Sequence, residues 1–182
     1  MILEIVKFGN PILRAKGSQI GEITPEIRQL AEDMIETMRA AHGVGLAAQQ
    51  IGQALQMAVV DVAGVEDRPS AMFIEGEPVE IAAHMPMVLL NPELELSKDK
   101  ETGTEGCLSF PDITGQITRS AGVRCKAQLL DGRQLEFDAS GLLARALQHE
   151  VDHLNGVLFV DRMNSAAKAS LASKLKRMQR EV

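Results

Sequence analysis

The sequence predicts an α+β fold in which mainly antiparallel β-sheets surround one buried helix. Three patterns carry this prediction: an alternating hairpin, a helix that is apolar on most sides, and amphipathic helices near the two ends of the chain. The chain has 182 residues, of which 45% are hydrophobic and 24% are charged. Because this length and composition are typical of one globular domain, we treat residues 1–182 as a single domain.

The first predicted helix runs from Pro25 to Ala41. Thr24 is a suitable N-cap, and proline is favoured at the first helical position. Apolar residues then recur at spacings of three and four, which predicts one buried helical face. This face consists of Ile27, Leu30, Ala31, Met34, Ile35 and Met38. Gly43 and Gly45 follow and end the helical pattern.

Two short apolar runs, at 57–62 and 87–90, predict buried strands. The second strand is expected to end at Asn91-Pro92, because proline cannot donate a hydrogen bond to a neighbouring strand. Residues 63–86 lie between these strands and carry Gly, Pro and Glu without periodicity. We therefore predict a loop insertion with little regular structure at 63–86.

A hairpin is predicted over residues 123–137, where apolar and polar residues alternate on both sides of Asp131-Gly132. The helix predicted next, over 141–155, is apolar on more than half of its circumference and is expected to be buried. A surface helix is predicted over 165–180. Its apolar stripe consists of Leu171, Leu175 and Met178.

Charge and cysteine content exclude several classes of protein. The chain has 19 Lys and Arg against 25 Asp and Glu, which gives a net charge of −6. This balance argues against nucleic acid or an anionic membrane as the main partner. Two cysteines cannot form a disulfide framework, and no apolar run approaches the roughly 20 residues of a membrane span. The first residues also lack the order of a signal peptide, so we expect a cytoplasmic protein.

The strongest chemical signal is the segment Gln148–His153, which contains the pattern His-Glu-x-x-His. On a helix, His149 and His153 lie one above the other and can bind one metal ion. Glu150 would then lie beside the open position of the ion, where it can transfer a water proton. The alternative, two histidines and an ion pair with a structural role only, is disfavoured because burying these groups is costly without a compensating centre.

A catalytic site of this kind needs a third protein ligand and an open position. The candidates are His42, His84, Cys107, Cys125 and many carboxylates. Cys107 has the most distinctive setting, since Gly106 precedes it and Pro111 follows closely. Spacing alone leaves the choice open, because a single cysteine is more often a small buried hydrophobe.

Three segments together resemble the motifs of the peptide deformylases, which are metal hydrolases that remove the N-formyl group from nascent chains. The segments are Gly43–Gln50, Glu105–Ser109 (EGCLS) and Gln148–His153 (QHEVDH), in that order. The resemblance covers nearly the whole chain. It implies a bacterial-type, iron-dependent enzyme that hydrolyses N-formylmethionyl peptides and releases formate.

The resemblance also implies a metal site with water in the fourth position. Its protein ligands would be Cys107, His149 and His153. One divalent ion per chain is expected, natively Fe²⁺, with Zn²⁺, Ni²⁺ or Co²⁺ able to replace it.

The remaining roles implied by the resemblance concern the substrate. Glu150 would be the general base and acid, and the Gln50 side chain and the Leu108 backbone N–H would bind the developing oxyanion. Val44, Gly45 and Leu108 would bind an extended substrate. Two departures from the family pattern, Arg145 and Ala146, affect the pocket for the methionine side chain.

Alternatives remain at this level. A His-Glu-x-x-His metallopeptidase shares the third motif, although such enzymes generally take Glu, Asp or His as the third ligand. A non-catalytic metal-binding module could use the same ligands, but a closed site has no use for Glu150 beside an open position. The basic face of residues 165–180 resembles a helix that docks some members on the ribosome near the exit tunnel; the alternative is a helix that only caps the domain.

Overall fold

In the computed structural model, which describes all 182 residues, the chain forms a seven-stranded sheet, a two-stranded sheet and four α-helices. The strands are β1 (Gly45–Ala47), β2 (Met57–Val60), β3 (Ser70–Ile74), β4 (Glu77–Pro78), β5 (Met87–Leu96), β6 (Lys100–Cys107), β7 (Phe110–Ser120), β8 (Gly122–Gln128) and β9 (Gln134–Gly141). The helices are α1 (Pro25–Ala40), α2 (Leu142–Leu154), α3 (Ser165–Ser170) and α4 (Ala172–Arg180). All pairings between these strands are antiparallel, which confirms the predicted α+β class.

The large sheet has the strand order β1-β2-β5-β8-β9-β3-β4, so β1 lies at one edge. Eleven of the thirteen residues of α2 are buried, and its apolar side chains pack against those of the sheet in the largest core cluster. Strands β6 and β7 form the separate two-stranded sheet, with Leu108 and Ser109 in the tight turn between them. None of the helices combines the length and the hydropathy needed to cross a lipid bilayer.

The predicted helix at residues 25–41 is confirmed and ends one residue earlier, at Ala40. The Thr24 side chain accepts a hydrogen bond from the Ile27 N–H at 3.2 Å, as an N-cap should. Ala31, Met34 and Met38 are fully buried on the predicted face. They contact the first strands of the sheet in a second core cluster.

The predicted end of the second strand at Asn91-Pro92 is wrong. Strand β5 continues to Leu96, with a register shift against β8 between Leu90 and Glu93. Asn91 adopts a positive φ of 52° at this bulge, and its side chain exchanges two 2.8 Å hydrogen bonds with the backbone of Ile20. A bulge leaves residues out of the ladder, so the missing N–H of Pro92 does not end the strand.

The expectation of little regular structure at residues 63–86 is also wrong. This segment contains β3, β4 and a short 3₁₀ helix at Ile81–His84. Strand β3 pairs with β9, for example Met72 with Ala139, and Met72 is buried in the main core. The partner strand is distant in sequence, which explains why local periodicity did not reveal it.

The predicted C-terminal helix is present but divided at Leu171, which ends α3 and precedes α4. Leu175 is buried, and Leu171 and Met178 pack beside it against a cluster that includes Phe110. The C-terminal helices therefore cover the core next to the β6–β7 turn.

Candidate metal centre

The helix α2 is fixed at both ends by other parts of the chain. At its start, the Leu142 N–H donates to the Pro69 carbonyl at 3.1 Å and the Leu143 N–H donates to the Ser70 hydroxyl at 2.8 Å. At its end, the Leu154 carbonyl accepts three hydrogen bonds, from one donor that precedes β1 in the sequence and two that follow it. These donors are the Gly17 N–H and the side chains of Gln49 and Gln56. The two histidines of the helix are therefore held on a rigid element.

Cys107, His149 and His153 meet at one point between α2 and the end of β6. One potential ligand atom from each lies within 4.8 Å of the other two. The Cys107 Sγ lies 3.3 Å from the His153 Nε2. A sulfur and a nitrogen bound tetrahedrally to one zinc-like ion would be about 3.6 Å apart. The arrangement therefore fits a divalent metal ion with a thiolate and two imidazole ligands.

The protonation of His153 suits metal binding. Burial lowers the pKa of His153 well below its usual value, and the positive charges of His149 and Arg119 lower it further. A neutral imidazole is the form that binds metal ions. Its Nδ1 is buried and has no hydrogen-bond partner in the chain.

His149 is oriented by Glu105, whose Oε1 lies 2.9 Å from its Nδ1. Burial raises the pKa of Glu105, but hydrogen bonds from His149 and Arg119 lower it more, so the pKa lies well below its ordinary value. The carboxylate is therefore charged and fixes the proton of His149 on Nδ1. This hydrogen bond directs Nε2 toward the candidate metal site, as in carboxylate–histidine–metal arrangements, where this nitrogen binds the ion in its unprotonated form.

Glu150 lies beside the ligands and is almost fully buried. Its Oε1 has no hydrogen-bond partner in the chain, and its other oxygen lies next to Gly45. Burial raises the pKa of Glu150 to about 7, and this effect outweighs the nearby positive charges of His149 and Arg119. A carboxyl group with a pKa near 7 can both accept and release a proton at neutral pH.

Two hydrogen-bond donors lie on the other side of Cys107. The Gln50 Oε1 accepts a bond from the Ala47 N–H at 2.9 Å, which turns the Nε2 toward Ser109 Oγ at 3.1 Å and Cys107 Sγ at 3.6 Å. The Leu108 N–H donates no hydrogen bond to a backbone or side-chain acceptor of the chain. The Leu108 N–H is therefore an unoccupied donor beside Cys107, and the Gln50 amide, held by Ala47 and Ser109, is a second donor close to the same sulfur.

A cavity of about 510 Å³ opens onto these groups. Its lining includes Val44, Gly45, Leu142 and Ala146, which form a partly apolar wall. The Asp61 N–H donates to the Val44 carbonyl at 2.8 Å, so Val44 is hydrogen-bonded toward β2. In an antiparallel pair, the backbone N–H and C=O groups of successive residues point alternately toward and away from the partner strand. The N–H and C=O of Gly45 therefore point away from β2, toward the open edge of β1.

The structure separates the predicted candidates for the third ligand. Cys107 lies with the two histidines, whereas Cys125 is buried within β8, where burial raises the pKa of its thiol to about 12. His42 is exposed at the rim of the cavity, and His84 lies at the end of a 3₁₀ helix.

Sequence reasoning did not predict that several residues around the centre support the candidate ligands, and it assigned Arg145 only to the pocket for the methionine side chain. Glu105 contacts His149, Arg119 and Arg145 both contact Glu105, and Ser109 holds Gln50. A signal for Glu105 was available, because residues two apart on a strand share a face and Cys107 follows it at that spacing.

Comparisons with known proteins identify one family over nearly the whole chain. A family model described as "Polypeptide deformylase" matches residues 2–169. The curated peptide deformylase of Methylacidiphilum infernorum is 44% identical over 180 residues, which cover 99% of this chain and 94% of that protein. The curated peptide deformylase of Opitutus terrae is 42% identical over 180 residues, or 97% of this chain and 92% of that protein.

Solved structures give the same result. The crystal structure of peptide deformylase from Ehrlichia chaffeensis has a TM-score of 0.85 and 32% identity, and the match covers 100% of this chain and 98% of that one. The peptide deformylase from Legionella pneumophila has a TM-score of 0.80 and 33% identity, with coverage of 99% and 96%.

Proposed function

The chain belongs to the polypeptide deformylase family, whose members are metal-dependent hydrolases that remove the formyl group from N-formylmethionyl peptides, and we propose which of its residues perform that reaction. Cys107, His149 and His153 bind one divalent ion. The observation that carries the proposal is the approach of their ligand atoms to within 4.8 Å, beside the buried and unpartnered Oε1 of Glu150.

We propose Fe²⁺ as the native ion, with Zn²⁺, Ni²⁺ or Co²⁺ as replacements. A thiolate with two imidazoles is a borderline-soft ligand set that suits these metals. When bound, the ion supplies a Lewis acid and lowers the pKa of water to about 7. Metal analysis of protein purified without oxygen tests the choice of metal, and a preparation that is active and contains only zinc would contradict it.

Glu150 is the general base and acid of the proposed reaction. Its carboxylate accepts a proton from the attacking water and then transfers this proton to the leaving amine as formate departs. Glu150 adjoins Gly45 and both residues line the cavity, which supports a role for the carboxylate next to the proposed path of the substrate backbone.

Gln50 and Leu108 stabilise the negative charge that develops on the formyl oxygen. The Gln50 Nε2 and the Leu108 N–H are fixed by the protein before the substrate arrives, so little reorganisation is needed during the reaction. A formamide is a poor electrophile and depends strongly on such donors.

The open edge of β1 binds the peptide in an extended conformation. Gly45 offers its N–H and C=O to the substrate backbone, while Val44 forms part of the adjoining wall. Leu142 and Ala146 line the cavity that would accept the methionine side chain.

The test is the substitution Glu150→Gln, assayed for bound metal and for formate release from N-formyl-Met-Ala-Ser. We expect the variant to keep its metal and to lose at least ~10²-fold in kcat, since only the proton transfer is removed. Glu136→Gln, at an exposed position of β9, is the matched control and should behave like the wild type.

Turnover of the Glu150→Gln variant at a rate near that of the wild type would contradict the assigned role. Cleavage of an internal peptide bond without formate release would favour a metallopeptidase instead. A metal-loaded wild-type protein without either activity would favour a non-catalytic metal-binding module.

We further propose that the C-terminal helices dock the protein on the ribosome near the exit tunnel, which places the reaction in the cytoplasm. Their exposed basic side chains are Lys168, Lys174, Lys176, Arg177 and Arg180. Because Leu175 belongs to the core, charge reversal tests the proposal better than deletion. Lys176→Glu with Arg180→Glu should reduce co-sedimentation with ribosomes; undiminished co-sedimentation would leave these helices as a cap on the domain.

A further inference from the structure

Arg145 connects the helix that carries both histidines with the hairpin that carries the cysteine. It lies on α2 one turn before His149, and its side chain is only 9% exposed. One guanidinium nitrogen donates to Glu105 Oε2 at 2.8 Å and to the Ile117 carbonyl at 2.9 Å. The other donates to the Glu101 carbonyl at 3.0 Å. A single side chain thus joins α2 to both strands of the hairpin.

Glu105 is the point at which these contacts meet the metal centre. Its Oε1 accepts hydrogen bonds from His149 Nδ1 and Arg119, each at 2.9 Å. Its Oε2 accepts hydrogen bonds from Arg119 at 2.7 Å and Arg145 at 2.8 Å. An ionised carboxylate has about four acceptor sites, so all of them are occupied. Loss of Arg145 would leave one acceptor site of the buried Oε2 unpaired and would remove the direct link between the carboxylate and α2 on that side, so that Arg119 alone would hold Oε2.

Arg119 cannot replace Arg145 in this arrangement. Its remaining nitrogen donates to Asp152 at 2.7 Å, so the whole guanidinium is already committed. Gly103 on β6 also faces the Arg145 guanidinium, and a Cβ at this glycine would lie 3.3 Å from the Arg145 Cζ. The strand and the arginine are therefore fitted closely to each other.

We infer that Arg145 is a positioning residue for the metal centre, which acts through Glu105 on the orientation of His149 and on the distance between the histidines and Cys107. This inference rests on the proposed metal site. Arg145 also lines the cavity, but its guanidinium donates its hydrogen bonds to the hairpin.

The experiment compares Co²⁺-loaded wild type with Arg145→Met, which has a similar length and no hydrogen-bond donors. Two properties are measured: the rate at which a chelator removes Co²⁺, and the thiolate-to-cobalt absorption band. Changes around metal ligands typically alter metal affinity by 10–100-fold, and we expect ~10-fold faster loss because Arg145 acts through a second residue. The absorption band should shift as the geometry relaxes.

Arg124→Met is the matched control. Arg124 also pairs with a carboxylate, Asp138, but this pair lies half-exposed on the outer face of β8 and β9. Its removal should leave both measured properties unchanged. Equal acceleration in both variants would overturn the inference, because it would indicate a general loss of stability.

A double-mutant cycle with Glu105→Gln tests whether Arg145 acts through Glu105. Each single variant should lose Co²⁺ faster than the wild type, and the double variant should be little faster than Glu105→Gln alone. Independent, multiplicative effects would refute the inference, as would a wild-type rate for Arg145→Met.

If Arg145→Met does not fold, Arg145→Lys provides the test. Lysine keeps one charge near Glu105 but cannot donate to three acceptors at once. We expect this variant to lose Co²⁺ faster than the wild type, and an unchanged rate would refute the inference. Formate release by the wild type is measured separately, so failure of the proposed reaction is distinguishable from failure of the positioning role.

Discussion

The approach of Gly45 to Glu150 gives a sharp prediction for the substitution Gly45→Ala. A Cβ at Gly45 would lie 2.9 Å from the Glu150 Cδ and 3.0 Å from its Cγ, and still closer to one carboxylate oxygen. Ordinary contacts between carbon atoms begin near 3.5 Å. The Glu150 carboxylate would therefore have to move by roughly 0.5–1 Å, because Gly45 lies in a paired strand and cannot retreat.

This movement should reduce catalysis without removing the metal. A misplacement of 1 Å can lower an enzymatic rate about 10²-fold, which corresponds to about 2.7 kcal/mol in the activation free energy. We therefore expect kcat for formate release to fall by ~10², with bound metal unchanged. The backbone N–H and C=O of residue 45 remain, so KM should change much less than kcat.

Gly64→Ala is the control, because a Cβ at this loop position meets no atom within 4 Å. It separates the effect of the Glu150 contact from the general effect of adding a methyl group. The reasoning would be refuted if Gly45→Ala released formate at the wild-type rate, or if its whole effect were a loss of metal.

Three further predictions follow from the same geometry. Gln50→Ala removes one donor to the developing oxyanion and should lower kcat by ~10²–10³ at unchanged metal content, as measured by formate release. The pKa of Glu105 is lower in the folded state than its ordinary value of 4.5 in the unfolded state. As the pH falls below 4.5, the unfolded state therefore binds a proton before the folded state does, and the metal-free protein should lose stability over this pH range. Urea unfolding between pH 6 and pH 3 should show a smaller loss in Glu105→Gln. Gly141→Ala should destabilise the protein by about 1–3 kcal/mol, measured by urea unfolding, because Gly141 has a φ of 70° and faces the Pro69 carbonyl.

Each of these predictions has a contrary outcome. A wild-type kcat in Gln50→Ala would exclude its amide from oxyanion binding. Equal pH dependence of stability in the wild type and in Glu105→Gln would show that this carboxyl is not the group that loses stability in acid. An unchanged urea midpoint in Gly141→Ala would mean that the start of α2 can rearrange around a side chain.

The sequence alone was sufficient for elements whose pattern is local. The helix at 25–41 and the helix that carries His149 and His153 both follow from contacts between residues three or four apart. The hairpin of β8 and β9 follows from alternation on both sides of Asp131-Gly132. Such patterns are complete within one short segment, so no distant partner is needed to recognise them.

Part of the site was visible at this level too. Two imidazoles and a carboxylate within one helical turn predict a metal site regardless of the rest of the chain. Cys107 was different: the residues left it as one candidate among several, and only its resemblance to a family motif raised it above the others.

The tertiary structure decided everything that depends on distant segments meeting. Cys107 is 46 residues from His153, and β3 pairs with a strand more than 60 residues away, so neither contact leaves a local pattern. Asn91-Pro92 predicted the end of a strand, but strand β5 continues past it through a bulge at which the Asn91 side chain bonds to the backbone of Ile20. The contacts of Arg145 illustrate the same limit. The sequence predicts that Arg145 lies near the pocket, but only the packing of the β6–β7 hairpin against α2 determines which groups its guanidinium contacts.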